Sequence, residues 1–177
     1  MTTTPCPGCG LILAERLVPP PPEHGASPAC FALYGRALEH QSRRFAQPPA
    51  GRLLLDAYGA QHPMDGGRMA RDNLAVHLIA LHLALVRHIP AESMPSTLRR
   101  VLRGRRDFPE LPRPVPLGVL TVASMFGPNG APIDELEAQA EAAQAFAASV
   151  WAAWSDQHGL VARWVKESGV FGGDDDD

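Results

Sequence analysis

The run Cys6-Pro7-Gly8-Cys9-Gly10 constrains this chain more than any other feature. Two cysteines separated by two residues in a Pro/Gly turn direct both sulfurs at one point, which is half of a tetrahedral metal site. The remaining cysteine is Cys30. Structural zinc takes four ligands, thiolate or imidazole. His24 lies close to Cys30 and follows the prolines Pro19 to Pro22, which carry it back toward the turn. The ligand set read from the sequence is therefore Cys6, Cys9, His24 and Cys30 around Zn2+. With every position filled by protein the ion is structural, because catalytic zinc keeps one position open. The competing reading of a Cys-x-x-Cys is a redox dithiol, with Cys30 a core residue. That reading calls for a βαβ context, which the sequence lacks.

The cysteines also bear on location. Three is an odd number and includes the Cys-x-x-Cys, so a disulfide framework does not fit and a reducing compartment does. Met1 to Pro5 has neither a basic nor an apolar segment of the signal-peptide kind. The most apolar stretch, Leu74 to Val86, is broken by His77 and His82 and is too short to span a bilayer. A cytoplasmic protein without membrane contact is expected.

The chain of 177 residues is long enough for one sizeable core. Its apolar share of 45% and charged share of 20% are those of a soluble globular domain. The net charge is −3, and four acids sit in the terminal run Asp174 to Asp177, so the body is close to neutral. Net charge therefore points neither to a nucleic-acid binder nor to an acidic solvating protein.

Helical signals dominate. Residues 1–26 read as irregular. Ser27-Pro28 reads as an N-cap with proline at the first helical position, opening a helix to about Arg44. Cys30 then falls in its first turn, where the helix dipole favours a thiolate. A second helix over 50–61 ends at His62-Pro63, since the residue before proline resists the α region. Leu74, Leu78, Leu81 and Leu85 recur at helical spacing in a third, over 69–87. A short arginine-rich helix over 93–103 precedes a connector with four prolines at 107–118. Thr121 caps one further turn. Pro132 opens a long helix whose seam includes Leu136, Ala140, Ala143, Ala147, Val150 and Trp154. Ser155 caps the last one, and Trp151, Trp154 and Trp164 are core anchors. His40, His82 and His88 read as surface or helix-end residues. The expected fold is an all-α bundle of about five to seven helices. Residues 1–30 form a zinc-binding module, 31–168 the bundle and 169–177 a flexible acidic tail.

A second polar constellation follows from the helices. Asp56, Tyr58, Gln61 and His62 fall at the end of the second helix, and His77 sits in the third. The glycine turn between them makes these helices antiparallel neighbours, so His62 and His77 can meet. His158 starts the last helix. If that helix folds back, Asp56, His62, His77 and His158 converge, and histidines with a carboxylate are a common catalytic metal set. The plainer reading is a hydrogen-bonded polar core. Arg99, Arg100, Arg103, Arg105 and Arg106 form a dense basic run, suited to phosphate or to a solvated helix face.

These motifs together resemble an uncharacterised bacterial family classed as a domain of unknown function. Its members open with a CPGCG turn, here Cys6 to Gly10. A histidine and a Ser-Pro-x-Cys follow, here His24 and Ser27 to Cys30. Next comes a segment like Leu55-Asp56-Ala57-Tyr58-Gly59-Ala60-Gln61-His62-Pro63, then a helix like Val76-His77-Leu78-Ile79. A Trp-x-x-Trp-Ser-x-x-His segment closes the pattern, here Trp151 to His158. The resemblance implies that Asp56, Gln61, His62, His77 and His158 belong to the family's pattern, and it implies no activity. The proline-rich approach to His24 and the acidic tail depart from that pattern.

Three functions are compatible with these readings. The first is a zinc-stabilised helical module that binds a protein or small-molecule partner. The second is a metal-dependent, hydrolase-like enzyme built on the Asp56/His62/His77/His158 set, with Asp56 or Tyr58 assisting a metal-activated water. The third is nucleic-acid binding through the zinc module and the arginine run, which the neutral body counts against.

Overall fold

The computed structural model of the chain describes residues 3–14, 25–44, 51–104 and 107–172. Within them it holds six α-helices: α1 Pro28–Arg44, α2 Gly51–Gln61, α3 Gly67–Leu85, α4 Met94–Val101, α5 Leu136–Ala153 and α6 His158–Glu167. His24, Phe45, Arg105, Arg106 and the run Asp174 to Asp177 lie outside the described residues. The helical class expected from periodicity holds.

One expectation needs correction. The N-terminus is not wholly irregular, because β1 Thr3–Pro5 pairs antiparallel with β2 Ile12–Ala14, Thr3 opposite Ala14 and Pro5 opposite Ile12. Strands this short show no period of two. What closes the hairpin is the turn between them, where the Cys6 amide donates to the Leu11 carbonyl and the Gly10 amide to the Cys6 carbonyl.

Helix α2 is the axis of the bundle. It packs on α3 and on α5, while α6 closes over α3. Leu54 and every residue from Asp56 to Gln61 are buried. A helix covered on nearly all sides needs small residues where its neighbours approach, and Ala57, Gly59 and Ala60 supply them. Leu74, Leu78 and Leu81 of α3 and Phe146, Ala147 and Val150 of α5 are buried in the core that these helices share with it. Trp151, Trp154 and Trp164 are buried, as anchors should be, and the Trp154 indole N–H donates to the Ala60 carbonyl at the end of α2.

Two helix starts differ from the sequence reading. Pro132 does not open α5. It bridges to Phe126, the Ile133 amide donates to Met125, and Asp134 pairs with Arg44 at 2.9 Å. The backbone there is committed to a turn, so the helix begins at Leu136, whose side chain is exposed rather than on the seam. Ser155 makes no capping bond and instead starts a single 3-10 turn before α6.

The proline-rich connector crosses the bundle without regular structure. Proline removes donors, so the carbonyls of such a segment must find partners elsewhere. Gln61 supplies both amide hydrogens, donating to the Leu117 and Leu120 carbonyls at 2.9 and 2.7 Å. Ser149 of α5 accepts from the Val119 and Leu120 amides. Arg71 donates to the Phe108 carbonyl and Arg113 to the Met64 carbonyl.

Candidate metal centre

Three elements bring four ligand atoms together. Cys6 and Cys9 come from the hairpin turn. Cys30 comes from the first turn of α1, where the Ser27 hydroxyl accepts from the Cys30 amide, the cap that Ser27-Pro28 predicts. His62 follows the last residue of α2, and its amide still donates to the Tyr58 carbonyl in the helical manner. Pro63 then stops the helix and leaves the imidazole at its tip.

The close approach depends on Gly8. A Cβ there would lie 2.5 Å from the His62 ring and 2.7 Å from the Gln61 carbonyl. The glycine of the Cys-x-x-Cys turn thus lets the hairpin rest directly on the end of α2. A further tie runs from the Gly25 amide to the His62 carbonyl at 3.1 Å.

The ligand atoms of Cys6, Cys9, Cys30 and His62 all lie within 4.8 Å of one another. Cys9 Sγ is 3.7 Å from Cys30 Sγ, and Cys30 Sγ is 3.5 Å from His62 Nε2. A tetrahedral ion with metal–sulfur bonds of about 2.3 Å and metal–nitrogen bonds of about 2.05 Å has edges of about 3.8 and 3.6 Å. The spacing therefore fits a four-coordinate ion of zinc's size. Cys6, Cys30 and His62 are buried and Cys9 is partly exposed. This Cys3His group can hold a metal ion and form a small metal-binding module at the N-terminus.

The surroundings prepare the donors. His62 Nδ1 lies 2.9 Å from the Tyr58 carbonyl, which only accepts, so Nδ1 carries the proton and Nε2 turns a lone pair to the sulfurs. The Tyr58 hydroxyl donates to Cys30 Sγ at 3.7 Å. Its ring is stacked between Tyr34, at 3.9 Å, and His62, at 4.0 Å. Burial, then the neighbouring Cys30 sulfur, pushes the Tyr58 hydroxyl far above its usual range, so it stays a donor rather than a base.

The sulfurs share their protons unequally. Hydrogen bonds from Cys30 and then Cys9 hold the Cys6 thiol far below its ordinary range, and the Ser27 amide also donates to it. Hydrogen bonds to Cys6 and then Cys9, with burial, push Cys30 far up. At Cys9 a lowering bond with Cys30 is outweighed by the bond with Cys6 and by burial, and the thiol ends at about 11. Three sulfurs crowded this closely are an arrangement a cation would stabilise.

The second constellation divides. His62 joins the cysteines. Asp56 and His77 meet each other, with His77 Nδ1 donating to Asp56 Oδ1 at 2.9 Å. Arg52, absent from the sequence-based set, completes that group by donating Nε to Oδ2 at 2.6 Å and Nη2 to Oδ1 at 3.0 Å. Gly59 makes room for the ring, since a Cβ there would lie 2.3 Å from His77 Nε2. Gln61 serves the connector. His158 Nε2 donates to the Trp151 carbonyl at 2.9 Å while its ring stacks on the Trp151 indole at 3.9 Å. Among the described residues the Cys3His set is the one group of three or more such side chains with ligand spacing.

Other positions fall as follows. His82 is at a helix end as expected, but it is buried, tilted against Trp151, and its Nδ1 finds no hydrogen-bond partner among the described residues. His88 is exposed, and His40 is half-buried beside Asp134. Arg99, Arg100 and Arg103 are exposed around the end of α4. No helix among the described residues is long and apolar enough to cross a membrane.

No curated protein and no solved structure matches the chain. One family model, described as a family of unknown function (DUF5946), matches residues 4–155, a span that takes in the cysteine turn, the Asp56–His62 segment and both tryptophans of α5 and its end. The chain belongs to this family of unknown function.

Proposed function

We propose that Cys6, Cys9, Cys30 and His62 hold one structural Zn2+, and that the chain works as a zinc-stabilised helical module that binds a partner in the cytoplasm. The observation that carries this reading is the donor set: three sulfurs and one oriented imidazole at the edge lengths of a tetrahedral site. Thiolate and imidazole together select zinc over magnesium or calcium, which take oxygen ligands. Four protein ligands leave no open position for substrate or water, which favours a structural ion over a hydrolytic one.

The residues divide the work. Cys6 and Cys9 fix the hairpin, Cys30 fixes the start of α1, and His62 fixes the end of the central helix. An ion there would join three elements that lie far apart in sequence. Bound metal supplies cross-linking at this junction. The chain's own part is to hold the imidazole tautomer through the Tyr58 carbonyl and to seat Cys30 by the Tyr58 hydroxyl and the Ser27 cap. A reducing compartment suits such a site, because its thiolates oxidise elsewhere.

Thermal unfolding of protein stripped by a strong chelator under reducing conditions tests this. We expect a large fall in Tm, reversed by adding zinc back. An unchanged Tm after verified metal removal would overturn the reading.

A further inference from the structure

A cleft of about 160 Å3 opens on the far end of α2 from the cysteines, between α2, the end of α3, the start of α4 and α5. Leu53, Ala84, Ile89 and Met94 give it apolar walls. Its polar lining is Arg52, Asp56 and Gln144. That volume is close to the cavity of about 150 Å3 known to take benzene in another protein's core, so the space suits a body of about six heavy atoms. Clefts between helices with apolar walls and a few convergent polar groups are where bundles bind small molecules.

The polar groups keep unused bonding capacity. Asp56 is buried at 2% exposure, and its Oδ1 accepts from His77 and from Arg52. Its Oδ2 accepts one bond, from Arg52 Nε, and keeps a lone pair. Arg52 spends Nε and one Nη2 hydrogen on Asp56, so its Nη1 makes no hydrogen bond among the described residues. Gln144 is exposed at the rim, with its amide likewise free among them. A tie between α2 and α3 needs only the Asp56–His77 bond. Arg52 adds donors on the cleft side of that bond.

Charge selects the ligand. The guanidinium and the carboxylate cancel, so an anion would meet Asp56 and a cation would meet Arg52, each in a half-enclosed site where like charges repel strongly. We propose that this cleft binds a small uncharged molecule with a short apolar body and a head that both accepts and donates, of the primary-amide class. Its carbonyl accepts from Arg52, its N–H donates to Asp56 Oδ2 or the Gln144 carbonyl, and its alkyl body lies on Leu53, Ile89 and Met94.

Three four-carbon probes of similar size separate the possibilities: butyramide, butyrate and butylammonium, each titrated into the full chain at pH 7.5 and followed by amide NMR shifts. Butyramide should give saturable shifts confined to the cleft, at least about tenfold tighter than either ion, as expected when each charged head meets a like charge in the cleft. Ala91 is exposed at the cleft edge, and A91W should abolish the shifts by filling the space. Q144L, at an exposed position, should weaken butyramide several-fold while leaving the folded spectrum intact. No saturable butyramide shifts, ion binding as tight as butyramide, or binding that survives A91W would each overturn the proposal.

Discussion

At the scale of single residues the centre turns on His62. His24 is nearer to Cys30 in sequence, and proximity made it the natural fourth ligand on paper. The structure sets His62 Nε2 3.5 Å from Cys30 Sγ, with His24 outside the described residues. Sequence distance says little about a residue that a helix carries to its tip. The helical spacing of Tyr58 and His62, which shares one carbonyl between ring and amide, was the readable signal. His62→Ala should cut bound zinc from one ion per chain to a small fraction, while His24→Ala leaves it unchanged. Elemental analysis of both variants checks this, and the reverse pattern would return the ligand role to His24. Tyr58→Phe removes the donor to Cys30 without emptying the stack. A lost supporting bond of this kind weakens metal binding by about 10- to 100-fold, readable by competition with a chromophoric chelator.

At the scale of elements, α2 carries two stations. Its end holds His62, and its middle holds Asp56 against His77. Periodicity showed that α2 and α3 are helical and adjacent. It did not show which polar side chains meet, because a rotation of one residue about the helix axis exchanges partners. Asp56, His62, His77 and His158 were all visible as unusual, yet they serve three places. Arg52 was invisible as a partner, being one arginine among many. Gly59 records the actual register, since it admits the His77 ring. Gly59→Ala should destabilise the protein by about 2 kcal/mol through overpacking, and much less in a His77→Ala background. Urea unfolding of the double-mutant set measures the difference. An equal cost in both backgrounds would place the clash elsewhere.

The buried His82 gives α3 a pH dependence. Burial, then Arg87 and His158, lowers its proton affinity below the ordinary histidine value of 6.5. The folded state thus prefers the neutral ring, and the unfolded chain takes up a proton first as pH falls. Stability from this residue is complete above about 6.5 and is lost as pH drops from there toward the folded value. Acid also protonates the Cys3His group, so the informative quantity is the difference between proteins. His82→Leu should be more stable than the parent at pH 5, with the gap narrowing toward pH 8. A gap independent of pH would contradict this.

At the scale of the molecule, the bundle and the N-terminal centre solve different problems. Helical periodicity is repeated many times in a long helix, which is why the class and the cores of α1, α2 and α3 could be read. The hairpin, the start of α5 and the path of the connector were hidden, because each rests on one or two backbone bonds that leave no repeating pattern. The cysteine turn was legible as chemistry and not as geometry: its residue types pointed to a metal, while the histidine that the structure brings to the three sulfurs, His62, sits at the end of a helix far along the chain. The central claim is that one ion joins hairpin, α1 and α2. Metal content per chain, measured on untagged protein purified under reducing conditions, tests it most directly. The account predicts one zinc per chain in the parent and close to none in His62→Ala. A parent protein free of zinc, or a His62→Ala variant that keeps its ion, would contradict it.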